Sequence, residues 1–273
     1  MTPELLTELV RHTRDKYFGK YRGFVVDNQD PEGLGRLKLR VPSVLGSEPS
    51  PWALPCVPFG GAAGHGWFAI PEVDAQVWVE FEEGDLRRPI WTGTFWQKKE
   101  DVPEDAAKTP PTTRLLRTPA GHVLRFDDAK DEEAVLLHHP KGAQLSIDPK
   151  GTVALTDAKG ATVVLDAEGE ELRVEDSHGN SLVLSSSGVR VEDAHGNTIE
   201  TASSGVKVKG QQVVVEGTQV LLGGSGGEPV IKGQSFLTLF ATHVHTSSAP
   251  GGPTSPPIPQ GEMSTLSTSV MTK

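Results

Sequence analysis

A single cysteine, Cys56, stands in 273 residues, so no intrachain disulfide framework is available to this chain. Within an aromatic-rich stretch it reads as a small buried hydrophobe, and no chemistry is assigned to it. No run of about 18 apolar residues occurs, which excludes a helical membrane span. The first residues hold no apolar run suited to a signal peptide, so synthesis in the cytoplasm without a signal peptide is expected. Cations are outnumbered, with 26 Lys and Arg against 36 Asp and Glu and a net charge of −10. Wrapping nucleic acid needs clustered cations, so no nucleic-acid partner is expected; the negative balance instead favours solubility. Aromatic side chains are missing from a long stretch: of 16, 13 fall between Tyr17 and Trp96, and residues 127–235 hold none. A core of ordinary thickness is filled by large side chains. The first third therefore reads as globular and the middle as thin and repetitive.

What is there divides into five segments. Residues 1–19 hold an amphipathic helix over 3–19, with Thr2 as N-cap, Pro3 at N1, and Leu5, Leu6, Leu9 and Val10 on one apolar face. Residues 20–98 read as a small β-barrel of the OB type. Its strands are expected at Arg22–Val26, Arg36–Val41, Trp67–Ile70, Gln76–Phe81 and Pro89–Phe95, with a turn at Asp27–Gly33. Residues 99–113 are charged and proline-rich, a linker by composition. Residues 114–235 are a repeat, and residues 236–273 form a terminal element.

The repeat is marked by glycines at 142, 151, 160, 169, 179, 188, 196 and 205, spaced eight to ten residues apart. Short alternating strands lie between them: Leu145/Ile147, Val153/Leu155, Val163/Leu165, Leu172/Val174, Leu182/Leu184, Val189/Val191, Val206/Val208 and Val213/Val215. One strand and one turn cannot bury an apolar face alone, so the units must stack. Either one chain coils into a solitary β-helix, or three chains intertwine into a triangular prism. Single-file Val and Leu without aromatics suit the narrow core around a threefold axis, and threefold closure leaves few open edges. Ten strands at ~4.8 Å spacing build a rod on the order of 50 Å long.

The stretch Gly23-Phe-Val-Val-Asp-Asn-Gln-Asp-Pro-Glu-Gly-Leu-Gly-Arg-Leu-Lys-Leu-Arg-Val-Pro42 resembles the OB domain of phage baseplate assembly protein V and of the VgrG spikes of type VI secretion. So do Trp52–Pro55, Ile70–Asp74, Val77–Glu82 and Gly84–Gly93, in the family's order and spacing. Phe240-Ala-Thr-His-Val-His-Thr246, followed by Gly252-Pro-Thr-Ser-Pro-Pro257, resembles the apex of short contractile-phage spikes. The resemblance implies an all-β fold: an N-terminal helix, an OB barrel, then an intertwined trimeric β-helix, or β-prism, forming a needle. It implies a structural role as the membrane-piercing central spike of a contractile, phage-tail-like injection machine, carried in a phage virion or a phage-tail-like particle. The implied partners are two further copies of the chain, a baseplate hub protein, and tube, tip protein or effector. The hub domains that precede the barrel in VgrG proteins are lacking, as is an inserted lysozyme domain, so no muralytic activity is expected.

In extended chain, residues i and i+2 share a side. His243 and His245 then both face a threefold axis, and three copies supply six imidazoles. Neutral imidazole suits Fe, Ni, Cu and Zn. Zinc usually takes four ligands, while six converging nitrogens favour an octahedral ion. The spacing permits iron and the resemblance selects it. Ser264–Lys273 alternates mildly, as a strand returning beside the shaft would.

Other clusters carry less. His178 and His195 sit in matching Asp-x-His-Gly-Asn turns and read as turn residues, as does His138-His139 at a strand end. One Asp and one Gly per repeat is too few for the calcium-binding nonapeptide. The Gly60–Gly66 loop lacks the Lys-Ser/Thr of a phosphate cradle. No nucleophile motif or carboxylate pair stands out, so no enzyme activity is expected. The tryptophans are assigned to barrel core and subunit contacts. A glycan-binding or glycan-hydrolysing β-helical tailspike is the alternative, but it would need aromatics along the shaft.

Overall fold

The computed structural model describes residues 10, 13–14, 16–222, 227–247, 249–252, 254–255 and 262–272. Most of the helix expected over 3–19 lies outside them. The chain divides into two compact units, residues 1–138 and 139–273. Nearly all regular structure is strand, so the all-β expectation holds.

In the first unit, five strands make one sheet in the order β2-β1-β4-β5-β3. They are β1 (Tyr21–Asp27), β2 (Lys38–Arg40), β3 (Leu54–Pro55), β4 (Gln76–Phe81) and β5 (Pro89–Thr94). A short helix, α1 (Pro42–Leu45), follows β2. The period-two pattern of the sequence sets which side faces in. Val25, Leu39, Val77 and Val79 are fully buried, with Leu37, Val41 and Ala53 beside them and Phe81 and Trp91 at the margin. Cross-strand pairing sets Val25 opposite Leu39 and Val79 opposite Trp91. The Trp91 indole N–H donates to the Gly35 carbonyl at 3.1 Å, so this large ring is buried without an orphaned donor.

One expected strand is absent. Trp67–Ile70 has no ladder partner, and the fifth strand is the two-residue β3, paired parallel to β5. The physical reason lies just upstream. Gly60, Gly61, Gly64 and Gly66 all adopt positive φ, which breaks the extended run before Trp67 and leaves an irregular loop.

Three strands complete this unit: β6 (Thr113–Arg117), β7 (Val123–Asp127) and β8 (Ala134–His138), antiparallel in chain order. The proline-rich stretch before β6 is tied down. Gln76 Nε2 donates to Asp101, Arg117 pairs with Asp105 at 2.6 Å, and Lys108 reaches Asp127 at 2.7 Å. Asp127 is buried; it also accepts a hydrogen bond from the Thr113 hydroxyl and forms an ion pair with the Arg125 guanidinium. The Lys108 ammonium, and after it the Thr113 hydroxyl, hold its carboxyl below the usual carboxylate range.

The second unit opens with eight strands: β9 (Gln144–Ile147), β10 (Val153–Thr156), β11 (Thr162–Asp166), β12 (Glu171–Glu175), β13 (Ser181–Ser185), β14 (Gly188–Glu192), β15 (Thr198–Ala202) and β16 (Gly205–Lys209). Each pairs antiparallel with the next, a meander without crossovers. A solitary β-helix would stack parallel rungs, so within one chain that alternative is not the arrangement adopted. The glycine repeat marks hairpin turns. Asp148, Asp157, Asp176 and Asp193 each open a loop, and each Oδ1 accepts backbone N–H bonds from the second and fourth residues after it. His178 and His195 are turn residues of this kind. Adjacent loops are linked as well: Asn180 Oδ1 accepts from Ala194 N at 3.2 Å, and Thr152 Oγ1 accepts from Ala167 N at 3.2 Å.

The Val213/Val215 strand is also absent. Residues 211–219 carry no ladder. Gly210 packs close to the Asn197 side chain, and the chain turns there instead of adding a strand beside β16. Gln212, Val213 and Val214 then help enclose a cavity of about 400 Å³ with Val191, Ile199 and Val208. Beyond it, β17 (Val220–Leu222) and β18 (Glu228–Ile231) flank β19 (Leu266–Thr272), parallel and antiparallel respectively. A ten-residue helix, α2 (Gly233–Thr242), follows β18 and had no counterpart in the sequence expectation.

Candidate functional site

The strand register sorts the meander's side chains into rows. One row runs straight across all eight strands: Leu145, Leu155, Val163, Val174, Leu182, Val191, Ile199 and Val208. The neighbouring row on the same face is Ile147, Val153, Leu165, Leu172, Leu184, Val189, Thr201 and Val206, in which Thr201 alone is polar. The opposite face carries Ser146, Ala154, Val164, Arg173, Val183, Arg190, Glu200 and Lys207. There Arg190 is paired with Glu192 and Glu200, and Arg173 with Glu171. The sheet is thus two-sided. Its apolar side stands partly open in the single chain: Val206 is 71% exposed and Leu145, Val174 and Val189 are 36% exposed, while Ile147, Val153, Val163, Leu172 and Leu182 are half-buried. A continuous apolar face of this size marks an interaction surface.

The barrel also presents uncovered aromatics. Of the five tryptophans only Trp91 is core; Trp67 and Trp96 are more than half exposed, as are Phe59 and Phe68. Trp52 lies against Arg36 and Lys38, and Trp78 against Arg22 and Phe95. Trp67 lines two adjoining clefts of about 460 and 420 Å³, one with Cys56 and Trp91, the other with Phe59 and Phe68. Cys56 is exposed rather than buried.

At the C-terminal end, His243 caps α2 in extended conformation (φ −65°, ψ 143°). Its ring packs 4.8 Å from Phe240, which stacks on Phe236 at 5.9 Å. His245 lies two residues on, with its ring centroid 5.3 Å from that of His243. The two predicted ligands are therefore neighbours. Metal–nitrogen bonds of roughly 2.1 Å put rings that share an ion about 4.6–5.4 Å apart, and the 5.3 Å separation falls in that range. Two imidazoles do not complete a coordination sphere, and among the described residues no group of three or more His, Cys, Asp or Glu gathers.

The first unit thus holds an OB-type barrel and the second opens with a repetitive antiparallel sheet, a combination of the all-β class. Comparison with known proteins narrows it for the barrel. Residues 21–96 match the type VI secretion system/phage-baseplate injector OB domain, so this segment is similar to that domain. The chain is 32% identical over 80 residues to the type VI secretion system spike protein VgrG4b of Pseudomonas aeruginosa, an overlap of 28% of this chain. The chain covers only about a tenth of that relative's length, 10%. These descriptions name an injector domain and a spike protein, structural parts by name. Among solved structures, the G-box domain of the microcephaly protein CPAP aligns over 38% of this chain and 72% of its own, at 14% identity and a TM-score of 0.26. That likeness is too slight to bear on the fold. No helix among the described residues is long and apolar enough to cross a membrane.

Proposed function

We propose that the chain is the central spike of a contractile injection machine and works as a homotrimer. The uncovered two-row apolar face carries this reading. Its 16 positions hold one polar side chain, Thr201, and no aromatic, which suits three identical sheets closing on one another around a narrow axis. Identical copies are the occupants because the face is continuous and of uniform chemistry, and because threefold closure removes sheet edges. The exposed aromatics of the barrel, together with the N-terminal segment, seat the trimer on a baseplate hub protein. The shaft is the stiff needle, and sheath contraction pushes it through the target envelope. The particle is a phage or a phage-tail-like machine, and a tube, tip protein or effector adjoins the spike.

At the apex, His243 and His245 of three chains would hold a metal ion, iron by the resemblance. Such an ion supplies cross-linking of three chain ends into one rigid point, not reactivity. Sedimentation equilibrium tests the trimer: a mass three times 29.2 kDa is expected. A mass of one chain at micromolar concentration refutes the reading. Elemental analysis of the wild type against the His243→Ala/His245→Ala variant tests the ion, and equal iron in both removes it.

A further inference from the structure

Each apex histidine is hydrogen-bonded by its own chain, and these bonds decide which ring nitrogen is left over. His243 Nδ1 lies against the carbonyl oxygen of Phe240, in the last turn of α2. His245 Nδ1 lies 2.7 Å from the carbonyl oxygen of Ser255. A carbonyl oxygen only accepts, so Nδ1 is the protonated nitrogen in both rings. A neutral imidazole carries one ring proton, which leaves the lone pair of both residues on Nε2.

The acceptors are themselves fixed. Ser255 N donates to Thr246 O at 2.8 Å, Thr246 N donates to Ser255 Oγ at 3.2 Å, and the two hydroxyl oxygens are 2.8 Å apart. Ser247 and Thr254 continue this contact as an antiparallel bridge. The Thr246–Ser255 clasp thus holds the carbonyl that orients His245. Phe240 serves His243 twice, through its carbonyl and through the ring packed on the imidazole. The same chain segment that supplies the histidines also presets them.

We propose that Phe240 and the Thr246–Ser255 clasp are the positioning residues of the apex, which lock both imidazoles as Nδ1–H tautomers and present Nε2 as the metal-binding atom. This rests on the apex-ion reading above. Outer partners of this kind orient metal-binding imidazoles and typically carry 10–100-fold in metal affinity. Because the lone pair is already on Nε2, binding by the neutral rings needs no tautomer change.

Two measurements on the full-length protein test this. Solid-state NMR of 15N-histidine-labelled, metal-free protein reads the tautomers, with His243→Ala and His245→Ala variants assigning the signals. Nδ1–H at both positions is expected, and Nε2–H at either overturns the proposal. The second is a chelator challenge after loading with ferrous iron. Thr246→Val/Ser255→Ala and Phe240→Leu are expected to lose iron roughly 10–100-fold sooner than the wild type, at unchanged oligomeric mass. Iron held equally by the variants and the wild type overturns the positioning role alone. A wild type that takes up no iron overturns the apex ion and this inference with it. Thr246→Ser, which keeps the hydroxyl, is expected to restore retention; failure to do so counts against the clasp.

Discussion

Aspartate placed at Leu184 and at Val183 tests the two-sided sheet, because the residues are adjacent in sequence and face opposite ways. Leu184 lies in the second apolar row between Leu172 and Val189 and is 37% exposed in the single chain. Full burial of a leucine is worth about 1.5–3 kcal/mol, so covering its exposed third contributes about 0.5–1 kcal/mol per chain and about 2–3 kcal/mol over three. Leu184→Asp loses this and brings three carboxylates into a water-poor core, at several kcal/mol each. At about 1.4 kcal/mol per tenfold, trimer association weakens by more than about a thousandfold. Val183 sits on the other face, directly between Arg173 and Arg190. Aspartate there forgoes up to ~1 kcal/mol of strand propensity and gains about 0.2–1 kcal/mol from each opposite-charge neighbour. Sedimentation equilibrium across a dilution series reads both variants, with far-UV circular dichroism reporting strand content. Leu184→Asp is expected to dissociate while Val183→Asp stays trimeric. A trimeric Leu184→Asp, or equal behaviour of the two, refutes the assignment of the inner face.

Gly188 has φ +135°, and a Cβ there would lie 1.7 Å from the Thr201 carbonyl oxygen. Gly188→Ala should therefore lower thermal stability by at least ~2–3 kcal/mol, whereas Gly205→Ala, where no atom lies within 4 Å, brings backbone strain alone and a smaller shift in melting temperature. The Asp176 carboxyl is held down to about 2 by the Asn180 amide, then by the backbone N–H groups of Asn180 and His178. Its folded pKa is depressed, so this turn contributes stability above the unfolded value of about 3.9 and loses it as pH falls toward 2; in acid titrations followed by circular dichroism, Asn180→Ala should unfold at higher pH than the wild type. Asp127→Asn removes the anchor for Lys108, Thr113 and Arg125, and trypsin is expected to cut after Lys108 several times faster than in the wild type; equal cleavage rates would show that the stretch before β6 is held by other contacts.

Much of this architecture was legible because it rests on local periodicity. Alternation in Arg36–Val41 and Gln76–Phe81 set the buried sides of β2 and β4, and the glycine spacing set the hairpins. The failures occurred where a non-local contact or a turn overrode the pattern. Trp67–Ile70 alternates as a strand does, but four positive-φ glycines precede it and no neighbour offers a free ladder. Leu54–Pro55 shows no alternation to mark a strand, and only its pairing with β5 makes it one. Val213–Val215 has strong strand propensity, but residues 211–219 form no ladder, and only Val213 and Val214 reach the last strands, beside Val191, Ile199 and Val208. The helix α2 was hidden by its shortness, although Phe236, Leu237, Leu239 and Phe240 carry the i, i+3, i+4 spacing. At the apex, the His-x-His pair was legible. The clasp was not, because Thr246 and Ser255 are nine residues apart and only the fold brings their backbone and hydroxyl groups together.

The missing aromatics and the two-row face have one physical cause. Strands of four or five residues offer two inward positions each, so the core they build is one side chain deep per sheet. Val, Leu and Ile fill that depth in favoured strand rotamers; Phe or Trp would force the sheets apart. Such a core is too shallow for one sheet to close by itself, and in the proposed trimer its stability would come from identical faces meeting. Stiffness is then a property of the assembly. Every inward side chain would contact other chains, while the ion-paired outer face, with Arg190 held between Glu192 and Glu200, resists a further layer. The hydrogen-bonded Asp turns fix hairpin length and so keep the two rows in register from strand to strand, because a slip of one residue would turn both rows outward. The carboxylates of the turns would therefore serve the proposed needle as directly as its apolar face does.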